Sequence, residues 1–168
     1  VEIKLRPQFI LIGNSAGAHL SMLYAYNRIF ENKHRDQVKA VVNIVGPVDL
    51  LHQDFKQYSD YSFVEKQMID SSKPCPTDIT NKDIPNPVFW INKNSPATIS
   101  FYGNNDQVIP LSQKKILDSV LNKNKVYNQS YEFSGGHLDW GNEKNAPILI
   151  NKISEFLRDT DKNKNALK

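Results

Sequence analysis

Five residues, Gly13-Asn14-Ser15-Ala16-Gly17, join a short apolar run to a long segment free of glycine and proline, and this junction constrains the fold more than any other part of the chain. The run Phe9 to Ile12 has the character of a strand buried on both faces, as in a parallel sheet. The segment Ala16 to Phe30, without glycine or proline after Gly17, carries apolar residues nearly all round, at Leu20, Met22, Leu23, Tyr24, Tyr26, Ile29 and Phe30, which predicts an interior helix. A strand that turns at once into a helix leaves residue 15 on a sharp, strained elbow. Glycine at 13 and at 17 is expected to remove the collisions that a Cβ would make with neighbouring backbone. The elbow lifts the Ser15 hydroxyl above the sheet edge. The helix start aims N–H groups at the same place, so the Ala16 amide is placed to stabilise a developing oxyanion.

The rest of the chain repeats the alternation. Val38 to Val45 reads as a second buried strand ending at Gly46-Pro47, Ala97 to Tyr102 as a third and Val126 to Phe133 as a fourth. Leu111 to Leu121 reads as a helix, and Ala146 to Leu157 as a closing helix with Pro147 in its first turn. Leu149, Ile150, Ile153, Phe156 and Leu157 form its expected apolar face. Strand and helix in alternation predict an α/β domain with a mostly parallel sheet and helices on both faces. One domain over 1–168 accommodates this, with enough apolar mass, 39% of residues, for a single core. Residues 51–96, rich in Pro, Asn and Asp with scattered aromatics, are too long for a simple connection and read as a cap-like insertion over the sheet end. Residues 159–168 read as a polar, frayed tail.

A serine hydroxyl is a poor nucleophile until a base takes its proton, so the elbow calls for a histidine. His19 lies one turn into the predicted helix, pointing away from the elbow, and reads as a packed, hydrogen-bonded side chain. His34 sits among Lys33, Arg35 and Asp36 in a solvated turn, while His52 opens the insertion and stays a candidate. His137 follows Gly135-Gly136 directly after the fourth strand, on the sheet edge where open α/β sheets bind their ligands. The imidazole in turn needs a carboxylate on that edge to hold its tautomer. Asp106, in Tyr102-Gly103-Asn104-Asn105-Asp106-Gln107-Val108-Ile109-Pro110, fits best. Asp49 in Gly46-Pro47-Val48-Asp49-Leu50 competes, although it is placed as readily to cap a helix, and Asp139 is too near His137 in sequence to orient it easily.

Composition removes several other classes. The net charge of +3 comes from scattered lysines with no run that would track a phosphate backbone, so no nucleic-acid partner is expected. The single cysteine, Cys75, excludes an intrachain disulfide and a cysteine-based metal site, and no metal or cofactor is called for. No stretch approaches the roughly 18 continuous apolar residues of a membrane span. No basic-then-apolar leader is present, but the chain opens on Val1 rather than methionine. An upstream start that carried a signal would decide localisation, cytoplasmic or secreted.

The segments Gly-Asn-Ser-Ala-Gly-Ala-His-Leu, Phe-Tyr-Gly-Asn-Asn-Asp-Gln-Val-Ile-Pro and Gly-Gly-His, in that order, resemble the esterase/lipase branch of the α/β-hydrolase superfamily, its hormone-sensitive-lipase-like and feruloyl-esterase-like carboxylesterases in particular. The resemblance runs from Gln8 to about Leu157. It implies Ser15 as nucleophile, Asp106 as acid, His137 as base and the Ala16 amide as one oxyanion donor, acting on a small-molecule ester. Such proteins place several strands and a His-Gly-Gly loop before the elbow, which here arrives at residue 13. The resemblance therefore implies a C-terminal portion lacking the N-terminal strands. Loss of one oxyanion donor costs about 2.7–4 kcal/mol of transition-state stabilisation. A bared sheet edge implies a homodimer or a complementary N-terminal fragment. Two other functions stay open: a serine peptidase of the prolyl-oligopeptidase type, which usually has a second glycine where Ala18 stands, and a non-catalytic interaction module.

Overall fold

A computed structural model describes residues 7–27, 34–57 and 83–166, with side chains to residue 162. Cys75, the aromatics Tyr58, Tyr61 and Phe63 of the insertion, and Ile29 and Phe30 of the predicted first helix lie outside the described residues. Four parallel strands, β1 (Phe9–Asn14), β2 (Val38–Ile44), β3 (Ala97–Gly103) and β4 (Asn128–Phe133), stand side by side in chain order. Among the described residues, three helices accompany them: α1 (Ala16–Tyr26), α2 (Ser112–Lys123) and α3 (Asn145–Ala166). Strand register pairs Gly13 with Asn43, Ile44 with Phe101 and Gly103 with Phe133. The chain therefore leaves all four strands at one edge, where the loops bearing Ser15, Asp106 and His137 begin.

From Ala40 to Ile44 the period-two alternation of β2 separates two cores, and a register irregularity between Val38 and Ala40 places Val38 on the face of Val41. Val38 and Val41 face Met22, Ala25 and Tyr26 of α1 and Leu117 and Leu121 of α2. Ala40, Val42 and Ile44, together with Ile99 and Phe101, face Leu149 and Phe156 of α3. This two-sided burial is why β2 reads as a continuous apolar run. Lys39 and Asn43 interrupt the run; Asn43 is fully buried and fully used: its amide donates to Tyr102 Oη (2.9 Å) and Ser100 Oγ (3.3 Å), and its carbonyl accepts the Gly46 N–H (2.9 Å). The Tyr102 hydroxyl passes on to the Gly46 carbonyl at 2.8 Å. These bonds lock the exit of β2 to that of β3.

Several sequence expectations change, and β1 is one: expected to be buried on both faces, it leaves Phe9, Ile10 and Ile12 exposed. The first helix ends at Tyr26, because Asn27 turns extended (φ −67°, ψ 125°), and it is not wrapped in core: Leu20 is 61% exposed. Among the described residues, β1 is the outermost strand of the sheet. In α3, Ile150 is 64% exposed while Leu149 and Phe156 are buried. Ile150 lies about 100° around the helix from Leu149, off the stripe that meets the sheet. The polar C-terminal residues, expected to fray, continue α3 as helix to Ala166, with Thr160 buried.

The 51–96 stretch is described only at its ends. Short 3₁₀ turns occupy Gln53–Gln57 and Pro87–Trp90. Trp90 and Ile91 are buried with α1 and α2, and the Trp90 indole N–H donates to the Ile84 carbonyl at 3.0 Å.

Candidate active site

Ser15 occupies the turn between β1 and α1 at φ 51°, ψ −120°, a conformation costing about 1–3 kcal/mol for a non-glycine residue. Backbone bonds hold it there. Its N–H donates to the Ile44 carbonyl (2.8 Å), and its own carbonyl accepts the N–H groups of Ala18 (3.0 Å) and His19 (3.1 Å). A Cβ at Gly13 would lie 2.3 Å from the Gly17 carbonyl carbon and 2.4 Å from the Ala18 nitrogen, so glycine is required at 13 by close approach. Gly17 differs from expectation: a Cβ there meets no described atom within 4 Å. The crowding at the elbow is one-sided, with the Gly17 backbone as the object struck and the Gly13 side chain as the group removed. Ala16, first residue of α1, is exposed, and a helix gives no internal acceptor to its first N–H.

The structure brings three of the sequence candidates into one chain of hydrogen bonds. The Ser15 hydroxyl lies 2.9 Å from His137 Nε2, and His137 Nδ1 lies 2.8 Å from Asp106 Oδ2. The carboxylate fixes the tautomer: Nδ1 carries the proton and donates it, leaving the Nε2 lone pair to accept from Ser15. Asp106 is itself fixed, because Oδ1 accepts the N–H groups of Val108 (2.8 Å) and Ile109 (2.9 Å). Its side chain is buried, whereas that of His137 keeps a small exposed face. The arrangement can move a proton from the serine oxygen to an imidazole whose cation a buried carboxylate would stabilise.

The other candidates are engaged elsewhere. The Asp49 carboxylate accepts the Leu51 N–H at 3.0 Å, closing its own turn. Asp139 Oδ2 accepts the Gly136 N–H at 2.7 Å. The exposed His34 bonds Gln37 at 3.0 Å, and His52 lies 3.5 Å from Asp54.

His19 is buried and donates from Nδ1 to the Pro47 carbonyl at 2.9 Å. Burial pushes its pKa below the ordinary 6.5, against the opposing pull of the Pro47 and Pro85 carbonyls. The folded state thus holds the ring neutral at pH values where the unfolded chain protonates it. Stability from this group is complete above 6.5 and falls as pH drops below that value toward the depressed folded one. Thermal melts from about pH 7 to about pH 5 should show a falling Tm, at up to about 1.4 kcal/mol per pH unit. His19→Asn should flatten that slope, and an unchanged slope would remove His19 as its source.

Sequence reasoning missed the buried amides around the site. Gln113 Oε1 accepts the N–H groups of both Val48 and Asp49 at 2.8 Å, and Asn86 Oδ1 accepts that of Leu50 at 2.7 Å, pinning the loop after β2. Asn145 donates to two carbonyls of the His137 loop. The available signal was periodicity: Gln113, Leu117 and Leu121 share one face of α2, and Asn145 lies one turn before Leu149 on the buried stripe of α3. An amide on an apolar stripe must be buried and therefore bonded.

Residues 3–121 match the BD-FAE family of α/β-hydrolase-type esterase domains. The chain belongs to the BD-FAE family. No curated protein sequence matches it. Among solved structures, Thermogutta terrifontis Est2 with butyrate bound superposes with a TM-score of 0.67 at 19% identity, over 89% of this chain and 55% of Est2. A truncated carbohydrate esterase from gut microbiota gives 0.62 at 17% identity, over 89% of this chain and 59% of that one. The acetyl ester-xyloside bifunctional hydrolase of Caldicellulosiruptor lactoaceticus gives 0.53 at 18%, over 76% and 47%. This BD-FAE chain therefore spans about half the length of the structures it is similar to, and it shares their α/β-hydrolase fold. Est2 has also been solved phosphoramylated by tabun. Among the described residues, no helix is long and apolar enough to cross a membrane.

Proposed function

We propose that this BD-FAE domain carries the nucleophile, base and acid of a serine hydrolase that cleaves small carboxylic esters through an acyl-enzyme. The Ser15-His137-Asp106 chain of hydrogen bonds, at 2.9 and 2.8 Å, carries this reading. Ser15 Oγ bonds to the ester carbonyl carbon while its proton passes to His137 Nε2, and the carbonyl oxygen becomes an oxyanion facing the Ala16 N–H. Collapse breaks the bond to the alcohol oxygen, which leaves with the proton from His137. A water molecule then repeats the sequence, releasing the acid and restoring Ser15. Asp106 keeps Nδ1 protonated throughout and stabilises the imidazolium. No step calls on a metal or cofactor.

The butyrate and propionate complexes of Est2 favour a short acyl group. β1 is the outermost strand among the described residues, and the exposure of Ile12 on it (60%) and of Leu20 on α1 (61%) favours a second protein surface, either another copy or a complementary strand-bearing segment. The test is hydrolysis of a short-chain aryl ester against the anilide of the same acid, with the mass of the active species read by light scattering. Ester cleavage outpacing anilide cleavage in a species heavier than one chain is the expected result. Anilide cleavage at a rate approaching that of the ester would favour a peptidase, and a monomer would contradict the paired edge.

A further inference from the structure

The base sits next to the most permissive backbone in the site. His137 follows two glycines. Gly135 stands at φ +127°, where a Cβ would lie 2.4 Å from Asp139 Oδ2, and its carbonyl oxygen lies 2.6 Å from where a Cβ on Gly103 would be. Close approach of the acid and base loops therefore demands glycine, and glycine by itself imposes no direction on the residue that follows. Yet the imidazole must meet two partners at once, and a displacement of about 1 Å can cost about 100-fold in rate.

Resting on the proposed roles of Ser15, His137 and Asp106, we propose that Asn104 and Asn145 are positioning residues that clamp the His137 loop from opposite sides. Asn145 is buried at the start of α3, and its Nδ2 donates to the Ser134 carbonyl (2.9 Å) and to the Asp139 carbonyl (2.8 Å). One nitrogen thus brackets the loop before and after His137. An uncharged side chain needs a primary amide to supply two N–H donors from a single nitrogen. Across the loop, the Gly135 N–H donates to Asn104 Oδ1 (3.1 Å), and the Gly135 carbonyl accepts the Asn105 N–H (3.0 Å). Asn104 stands two residues before Asp106, so the same contact ties the loop of the acid to the loop of the base. Asp139 closes the inside of the turn through the Gly136 N–H.

Two opposed anchors define the ring's position where the glycines cannot. Asn104 is exposed, so its side chain can be removed with little effect on the core, whereas Asn145 is buried.

The test compares Asn104→Ala, Asn104→Asp and Asn145→Ala with the unsubstituted chain, by kcat and KM on a short-chain ester and by thermal unfolding. Asn104→Ala should lower kcat about tenfold, with KM within about twofold and Tm nearly unchanged. Asn104→Asp retains an oxygen to accept the Gly135 N–H and should recover most of that loss. Asn145→Ala should lower kcat about 100-fold in protein that still folds. Wild-type kcat in a folded Asn104→Ala, or no recovery in Asn104→Asp, would overturn the clamp even if Asn145→Ala failed to fold. If the unsubstituted chain neither turns over esters nor reacts with a fluorophosphonate, the proposed function itself has failed. An active parent with equally active variants refutes the clamp alone.

Discussion

Ser15→Ala is expected to lower ester hydrolysis by a factor of about 10⁴ or more without disturbing the fold. The strained backbone at residue 15 is held by bonds from its own N–H and carbonyl, none of which involves the side chain. Alanine meets the same backbone cost as serine at φ 51°, so the elbow should persist. What disappears is the oxygen 2.9 Å from His137 Nε2. The helix N-terminus would remain, leaving only the residual rate that a bound and polarised ester shows with water. Initial rates on a chromogenic short-chain ester, with circular dichroism as the control for folding, measure this. Retention of most of the activity would strip Ser15 of its role.

Asp106→Asn should cost about as much, near 10⁴ in kcat, for a reason visible in the hydrogen bonds. Oδ1 of Asp106 accepts two backbone N–H groups, from Val108 and Ile109, and that position must remain an oxygen. In the asparagine variant the NH₂ group therefore turns toward His137 Nδ1. The ring is then driven to the opposite tautomer, with its proton on Nε2 facing Ser15 and no lone pair to receive the serine proton. Steady-state kinetics should show the loss in kcat with Tm little changed. Activity within tenfold of the parent would mean that Asp106 does not set the tautomer.

The strand and helix order was legible because each element carries its own signature. β2 is apolar on both faces, α2 and α3 repeat at helical spacing, and glycines or prolines stop the strands. The convergence of Ser15, Asp106 and His137 was legible for a different reason: each follows a strand or its glycine-bearing turn, and parallel strands deliver all such turns to one edge. Exposure at Leu20 and Ile150 was not legible. Hydrophobicity records what a residue can bury against, whereas burial depends on whether a neighbour is present, and β1 has none on its outer side among the described residues. The reason for Gly17 was misassigned because sequence shows which side chain is missing without showing which atom needs the space. Asn104, Gln113 and Asn145 act through bonds to backbone far away in the chain, so residue type and local pattern could mark at most their placement on a buried stripe.

The most direct test of the central claim, that His137 makes the hydroxyl of Ser15 nucleophilic, is to treat the folded chain with a fluorophosphonate and locate the adduct by peptide mass spectrometry. One adduct is expected, on the peptide containing Ser15, lost in Ser15→Ala and strongly slowed in His137→Ala. A folded chain left unlabelled, or one labelled on a different serine, would contradict the claim.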